Sequence, residues 1–113
     1  MGLSGIFRKK ESGIDRGVAE FRTTENAVLL DVRTDAEFAS RHIPMARHLP
    51  LSRIRSVQEL IPDRGTPVFV YCRSGVRSRE AVRRMRRMGY VRIRSIGGIL
   101  RYHGETAETN REE

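Results

Sequence analysis

The residues with most chemical potential lie in YCRSGVRSRE, residues 71–80, which holds the only cysteine of the 113-residue chain. A lone thiol is either packing or a nucleophile, and only its thiolate attacks. The apolar PVFV precedes Cys72 and a helical pattern follows it, so the thiol stands at a strand-to-helix turn. The first turn of a helix leaves backbone N–H groups without partners, and its dipole adds positive potential there. Gly75 can take the positive φ that wraps those donors around a sulfur, and Arg73 and Arg77 add full charges. Each effect favours thiolate over thiol. The same amide-lined turn would hold an anionic sulfur adduct or an oxyanion. The competing reading is inert packing, because free cysteine is among the most buried residues; Gly75, Arg77 and Ser78 weigh against it. His42, His48 and His103 show no metal-ligand spacing with Cys72, so no zinc site is expected.

Elements that could position this turn follow from patterning. A helix is expected over 15–22, with Asp15 as cap and Val18 and Phe21 at helical spacing. AVLLDV reads as a strand buried on both faces. Thr34 and Glu37 have capping-box spacing and open a short helix to about Arg41. Pro44 and Pro50 bracket an extended segment over 46–49. A helix over 51–60 turns Ile54, Val57, Leu60 and Ile61 to one side. PDRGTP is a turn, and 67–71 is the third strand. Helix over 76–88 buries Ala81, Val82, Met85 and Met88, turns Arg79, Arg83, Arg84, Arg86 and Arg87 elsewhere, and stops at Gly89. A last strand over 91–96 leads through Gly97 and Gly98 into a helical turn. Strands alternating with helices make an α/β fold with a parallel sheet covered on both faces. In such sheets the functional crevice lies beyond the carboxyl ends of the strands, where Asp31 and Cys72 both fall. The expected organisation is a flexible arm over 1–14, one domain over 15–104 and a polar, frayed tail over 105–113.

The motif Cys72-Arg73-Ser74-Gly75-Val76-Arg77-Ser78 resembles the active-site loop of the rhodanese-like sulfurtransferases, C-x-x-G-x-R followed by Ser or Thr. LLDVRTDAEFASRHIPMARHLPL and MGYVRIRSIGGIL resemble two further motifs of that family, in the same order. The resemblance spans residues 27–102. It implies a three-layer fold with a mostly parallel five-stranded sheet flanked by helices. It also implies that Cys72 takes sulfane sulfur from a donor such as thiosulfate, with the amides of residues 73–77 around the sulfur. An external thiol or cyanide then removes the sulfur, and no metal or organic cofactor is needed. Arg77 is expected to turn inward to an acidic residue, Asp31 first, and Arg73 to point outward where it steers an anionic donor. Asp31 and Arg33 match the family's DVR pair and are expected to fix loops through charge-assisted hydrogen bonds. Ser78 is expected to support the first helical turn, and His42 to satisfy backbone groups near the HIP turn. Met45 and Arg41 depart from the family, which has Gly at both places.

Two rivals stand beside sulfur transfer. Cysteine phosphatases and arsenate reductases use C-x5-R, whereas Arg77 follows Cys72 by five positions and Ser78 occupies the sixth; the shorter loop suits one sulfur atom better than a tetrahedral phosphate. A non-enzymatic persulfide relay or partner-binding module uses the same loop. With no second cysteine, the persulfide cannot be resolved internally, so an external thiol is implied either way. The balance of 22 basic and 14 acidic residues gives a formal charge of +8, and every basic residue but Lys9 and Lys10 is arginine. A basic surface suggests nucleic acid, but no aromatic residues interleave the arginines and no zinc-finger, RRM or KH motif appears; the arginine face of the last helix is by default solvated, with docking of a partner as the alternative. No apolar run approaches the roughly 20 residues of a membrane span. The start has no secretory h-region, and Ile6 stands where a myristoylation signal wants Ser or Thr. A single cysteine suits a reducing compartment, so the cytoplasm is expected.

Overall fold

The computed structural model describes residues 11–109. Helix α1 (Gly13–Arg22) is opened by a capping box in which the Ser12 hydroxyl accepts the Asp15 N–H and the Asp15 carboxylate accepts the Ser12 N–H. Asp15 is thus the third helical residue and Ser12 the cap, three residues earlier than expected. The sequence then alternates as read: β1 (Val28–Asp31), α2 (Asp35–Ser40), β2 (Arg47–His48), a 3-10 segment (Leu51–Ser56) running into α3 (Val57–Leu60), β3 (Val68–Cys72), α4 (Val76–Arg87), β4 (Ile93–Gly98) and a 3-10 turn (Ile99–Arg101). The expected single helix over 51–60 is broken because Arg53 has non-helical backbone angles (φ −115°, ψ 17°). Helix α4 ends at Gly89, where the N–H groups of Gly89 and Tyr90 reach back to the Arg86 and Met85 carbonyls.

The strands form one parallel sheet in the order β2-β1-β3-β4. Among the described residues it has four strands, not the five the family resemblance implied; the extended stretches legible in the residues themselves are also four. Side chains alternate across the sheet as strand geometry demands. Leu30, Val68, Val70 and Cys72 join Ala81, Val82 and Met85 of α4 and Ile54, Val57 and Ile61 in one buried cluster. Leu29, Phe69 and Tyr71 join Ile14, Val18 and Phe21 of α1 in the other. Helices therefore cover both faces, making three layers. Burial of each such aliphatic side chain stabilises the fold by roughly 1.5–3 kcal/mol, and this packing rather than any cap holds α4 beside β3.

Ordered packing reaches residues on either side of 15–104. Ile14, assigned to the arm, is buried at 2% exposure. The tail is held as far as Thr109, whose N–H donates to the Ala39 carbonyl, and Ala107 exchanges backbone hydrogen bonds with His42. Residues 1–10 and 110–113, the rest of the expected arm and tail, lie outside the described residues.

Candidate active site

Cys72 is the last residue of β3 and is 1% exposed. Immediately after it the chain turns into α4, a 12-residue helix whose N-terminus faces the sulfur. The turn closes at Gly75, with φ +110°, a conformation that strains any residue carrying a Cβ. The Gly75 N–H donates to Cys72 Sγ at 3.0 Å. Ser78, fully buried one turn into α4, places its hydroxyl 3.7 Å from the sulfur and 3.0 Å from the Gly75 carbonyl oxygen, so its one hydrogen can serve either; directed at the sulfur, it favours the thiolate. Burial pushes the Cys72 thiol pKa up, but the backbone N–H and hydroxyl of Ser78 and the amides of Gly75 and Ser74 more than offset it. The thiol ends below its ordinary value. Of the amides expected around the sulfur, that of Gly75 makes the direct hydrogen bond.

Three anchors hold the loop: the Ser78 hydroxyl on the Gly75 carbonyl, the Arg77 side chain, and the backbone at Gly98. Arg77 turns inward as expected, but to Glu37 rather than Asp31. Its Nη1 and Nη2 donate to the two carboxylate oxygens at 2.7 and 3.0 Å. Asp31 is not free to take it, because Arg33 Nε and Nη2 engage both Asp31 oxygens at 2.7–3.1 Å and the Arg33 N–H adds a third donor. Arg33 Nη2 also donates to the Arg41 carbonyl, which ties the pair to the far end of α2. Glu37 accepts from Thr34 N–H as well, so one carboxylate both caps α2 and ties α2 to the cysteine loop. The third anchor is backbone packing. Gly98 sits opposite Cys72 in the β3–β4 ladder, and a Cβ there would lie 2.1 Å from the Arg73 carbonyl oxygen. Just beyond it, Leu100 N–H donates to that same oxygen.

Of the residues singled out in the sequence, Cys72, Ser74, Gly75 and Ser78 converge on the sulfur. Arg73 is exposed, and so is Val76. His42 donates from Nδ1 to the Phe38 carbonyl at 2.8 Å and stacks on the Phe38 ring, whose other face carries His48. Met45 occupies the third position of a turn closed by Ala46 N–H donating to the Ile43 carbonyl, with Pro44 second and φ +76° at Met45. That is a type II turn, whose third position favours glycine, so the backbone keeps the family's turn and Met45 bears the strain. Arg41, the other departure, is extended (φ −171°) and unstrained. Sequence reasoning missed the Arg77 partner, the close approach of Gly98, and Ser95, whose hydroxyl lies 2.7 Å from that of Ser78. Glu37 was visible only as a cap and Gly98 only as part of a Gly-Gly pair; Ser95 carried no signal.

A thiol at a strand's carboxyl end, wrapped by amides at a helix N-terminus, defines an α/β domain built around a nucleophilic cysteine. Comparison with known proteins gives the family. A model of the rhodanese-like domain matches residues 17–105. The chain is 40% identical over 84 residues to a sulfurtransferase of Allochromatium vinosum, covering 72% of this chain and 78% of that one. It is 30% identical over 87 residues to the thiosulfate sulfurtransferase GlpE of Coxiella burnetii, covering 74% and 80% of the two. A solved rhodanese from E. coli superposes with a TM-score of 0.68 at 25% identity, over 73% of this chain and 98% of that one. The protein belongs to the rhodanese-like domain family.

Proposed function

We propose that the protein moves sulfane sulfur from a small anionic donor such as thiosulfate to a thiol or cyanide acceptor through a persulfide on Cys72. The observation that carries this reading is the Gly75 N–H directed at Cys72 Sγ from 3.0 Å, in a turn sized for one sulfur. In the first step the Cys72 thiolate attacks the outer sulfur of thiosulfate. A new S–S bond forms, the bond to the sulfonate sulfur breaks, and its electron pair leaves with sulfite. The terminal sulfur then carries the negative charge, which the loop amides and the α4 N-terminus stabilise. In the second step the acceptor attacks that terminal sulfur and Cys72 departs as thiolate, giving thiocyanate from cyanide or a new persulfide from a thiol. Relatives named as sulfurtransferases support this chemistry. Arg73 steers the anionic donor, and the single cysteine makes the acceptor thiol external. We place the reaction in the cytoplasm, where that thiol stays reduced; among the described residues no helix is long and apolar enough to cross a membrane.

The test is to incubate the protein with thiosulfate, look by intact mass for one added sulfur atom, and then follow thiocyanate formation with cyanide. Loading of the wild type with none on Cys72→Ser is expected. An unloaded wild type, or an adduct that survives in Cys72→Ser, overturns the reading. Stoichiometric loading without turnover would assign the protein to sulfur relay rather than catalysis.

A further inference from the structure

A groove of about 450 Å³ runs between α4 and β4, behind the cysteine loop. Its walls carry Arg79, Arg83, Arg86 and Arg87 from the helix and Arg94 from the strand, over a floor at Val82. Three of these guanidinium groups have partners that fix them. Arg86 Nη2 donates to the Ile93 carbonyl at 3.1 Å, Arg83 is held by Glu80 and Arg94 by Glu20. Among the described residues Arg79 and Arg87 have no carboxylate within ion-pair distance, so cationic charge in the groove exceeds the anionic charge beside it. The groove also reaches the active loop. Ser95 lines it and hydrogen-bonds Ser78, whose hydroxyl borders Cys72 Sγ. Arg79 Nη1 lies 3.1 Å from where a Cβ on Gly75 would stand.

We propose that this groove docks an acidic polypeptide segment of the protein whose thiol collects the sulfur. The inference rests on sulfur transfer through Cys72 and names the acceptor's class: a protein thiol flanked by carboxylates. Charge complementarity selects it. Arg8, Lys9 and Lys10 bear the same charge as the groove and offer it no complement. The described part of the tail is held through Ala107 and Thr109 at His42 and Ala39, by α2, while β4 closes the opposite edge of the sheet from β2. Single-stranded nucleic acid binds through aromatic platforms as well as charge, and no aromatic residue lines the groove. Once the partner is docked, its thiolate attacks the terminal persulfide sulfur. The new S–S bond forms on the partner, the Cys72 S–S bond breaks, and its electron pair returns to Cys72, with no net oxidation.

The experiment uses the full chain loaded with thiosulfate and two synthetic decapeptides, each with one cysteine, flanked in one by Glu and Asp and in the other by Ser and Gln. Sulfur transfer is followed by intact mass at 20 mM and 500 mM NaCl. The wild type is expected to transfer to the acidic peptide about 10-fold faster than to the neutral one at low salt, with the preference lost at high salt, as screening requires. The double substitution Arg83→Gln with Arg87→Gln is expected to reduce the low-salt preference to about twofold. Equal rates with both peptides, or a cyanide rate that falls as much as the acidic-peptide rate in the double variant, overturn the docking site while leaving sulfur transfer intact. A wild type that never loads sulfur overturns both readings, and the mass taken before any acceptor is added distinguishes the cases. A single-stranded oligonucleotide that displaces the acidic peptide at lower concentration than an Asp-Glu peptide without cysteine would assign the groove to nucleic acid.

Discussion

Glu37→Gln tests the anchor that the structure adds to the sequence reading. The substitution is selective because glutamine retains the carbonyl that accepts Thr34 N–H, so the capping box on α2 keeps its acceptor, while the charge facing Arg77 disappears. The Arg77 guanidinium, followed by burial acting the other way and the Thr34 hydrogen bonds, takes the Glu37 carboxyl from its ordinary 4.5 down to about 2. That displacement corresponds to at most about 3 kcal/mol. The two side chains are 31% and 27% exposed, so solvent screening brings the expected loss to about 1–2 kcal/mol at pH 7. The sign follows from linkage. A carboxyl with a depressed folded-state pKa stabilises the fold fully above about 4.5, and that contribution disappears as pH falls toward about 2. More than half of it is gone at pH 3. Urea unfolding of wild type and Glu37→Gln at pH 7, 5 and 3 therefore gives a stability difference that shrinks on acidification. Other depressed carboxyls such as Asp15 are common to both proteins and cancel. A difference below about 0.3 kcal/mol at pH 7, or one that is the same at pH 7 and pH 3, would refute the assignment of Arg77 to Glu37.

Three further outcomes follow from the loop. Ser78→Ala removes the hydroxyl that helps hold the Cys72 thiol below its ordinary pKa, so the acid limb of the pH–rate profile for persulfide formation should move to higher pH; an unmoved limb would assign the depression to the amides alone. Gly98→Ala puts a methyl into the Arg73 backbone, and displacement of the loop should lower the loading rate at least about 10-fold, read against circular dichroism to verify the fold; wild-type loading would show that the loop yields without cost. Met45→Gly relieves a left-handed backbone that costs about 1–2 kcal/mol for an L-residue. Allowing for the added chain entropy of glycine, thermal unfolding should show a gain of about 0.5–1 kcal/mol, and a loss would contradict the turn assignment.

What could be read from the residues was whatever depends on local pattern. AVLLDV and PVFV declared buried strands because continuous apolar runs are buried on both faces, and α4 declared itself through Ala81, Val82 and Met85 at helical spacing. Cys72 and Gly75 were legible because the turn's chemistry depends on residues close in sequence. What was hidden depends on tertiary competition. In sequence Asp31 stood first as the partner of Arg77 and Glu37 was legible only as a cap; the claim of Arg33 on Asp31 is what gives Arg77 to Glu37. Asp15 and Ser12 are both good capping residues, and the choice turned on which one left Ile14 facing the core. Gly98 is 26 residues from Cys72, and nothing local shows that the two backbones touch. The fifth strand was an inference from the family alone, and no apolar run among the described residues supports it.

The anchors also explain why the cradle can be built from backbone. Amide donors have fixed directions, so they stabilise a terminal sulfur anion only if the loop does not relax around it. A side-chain site can be tightened by repacking one residue; a backbone site must be held from outside. Here the outside is a carboxylate from α2 on Arg77, the Gly98 backbone beneath Arg73, and the Ser78 hydroxyl spanning Gly75 and the thiol, each from a different element. This arrangement leaves the sulfur almost without exposed surface, at 1% for Cys72. Selectivity among acceptors therefore has little to read at the sulfur itself. It falls to surfaces around the loop, and the arginine groove behind it is built to read charge.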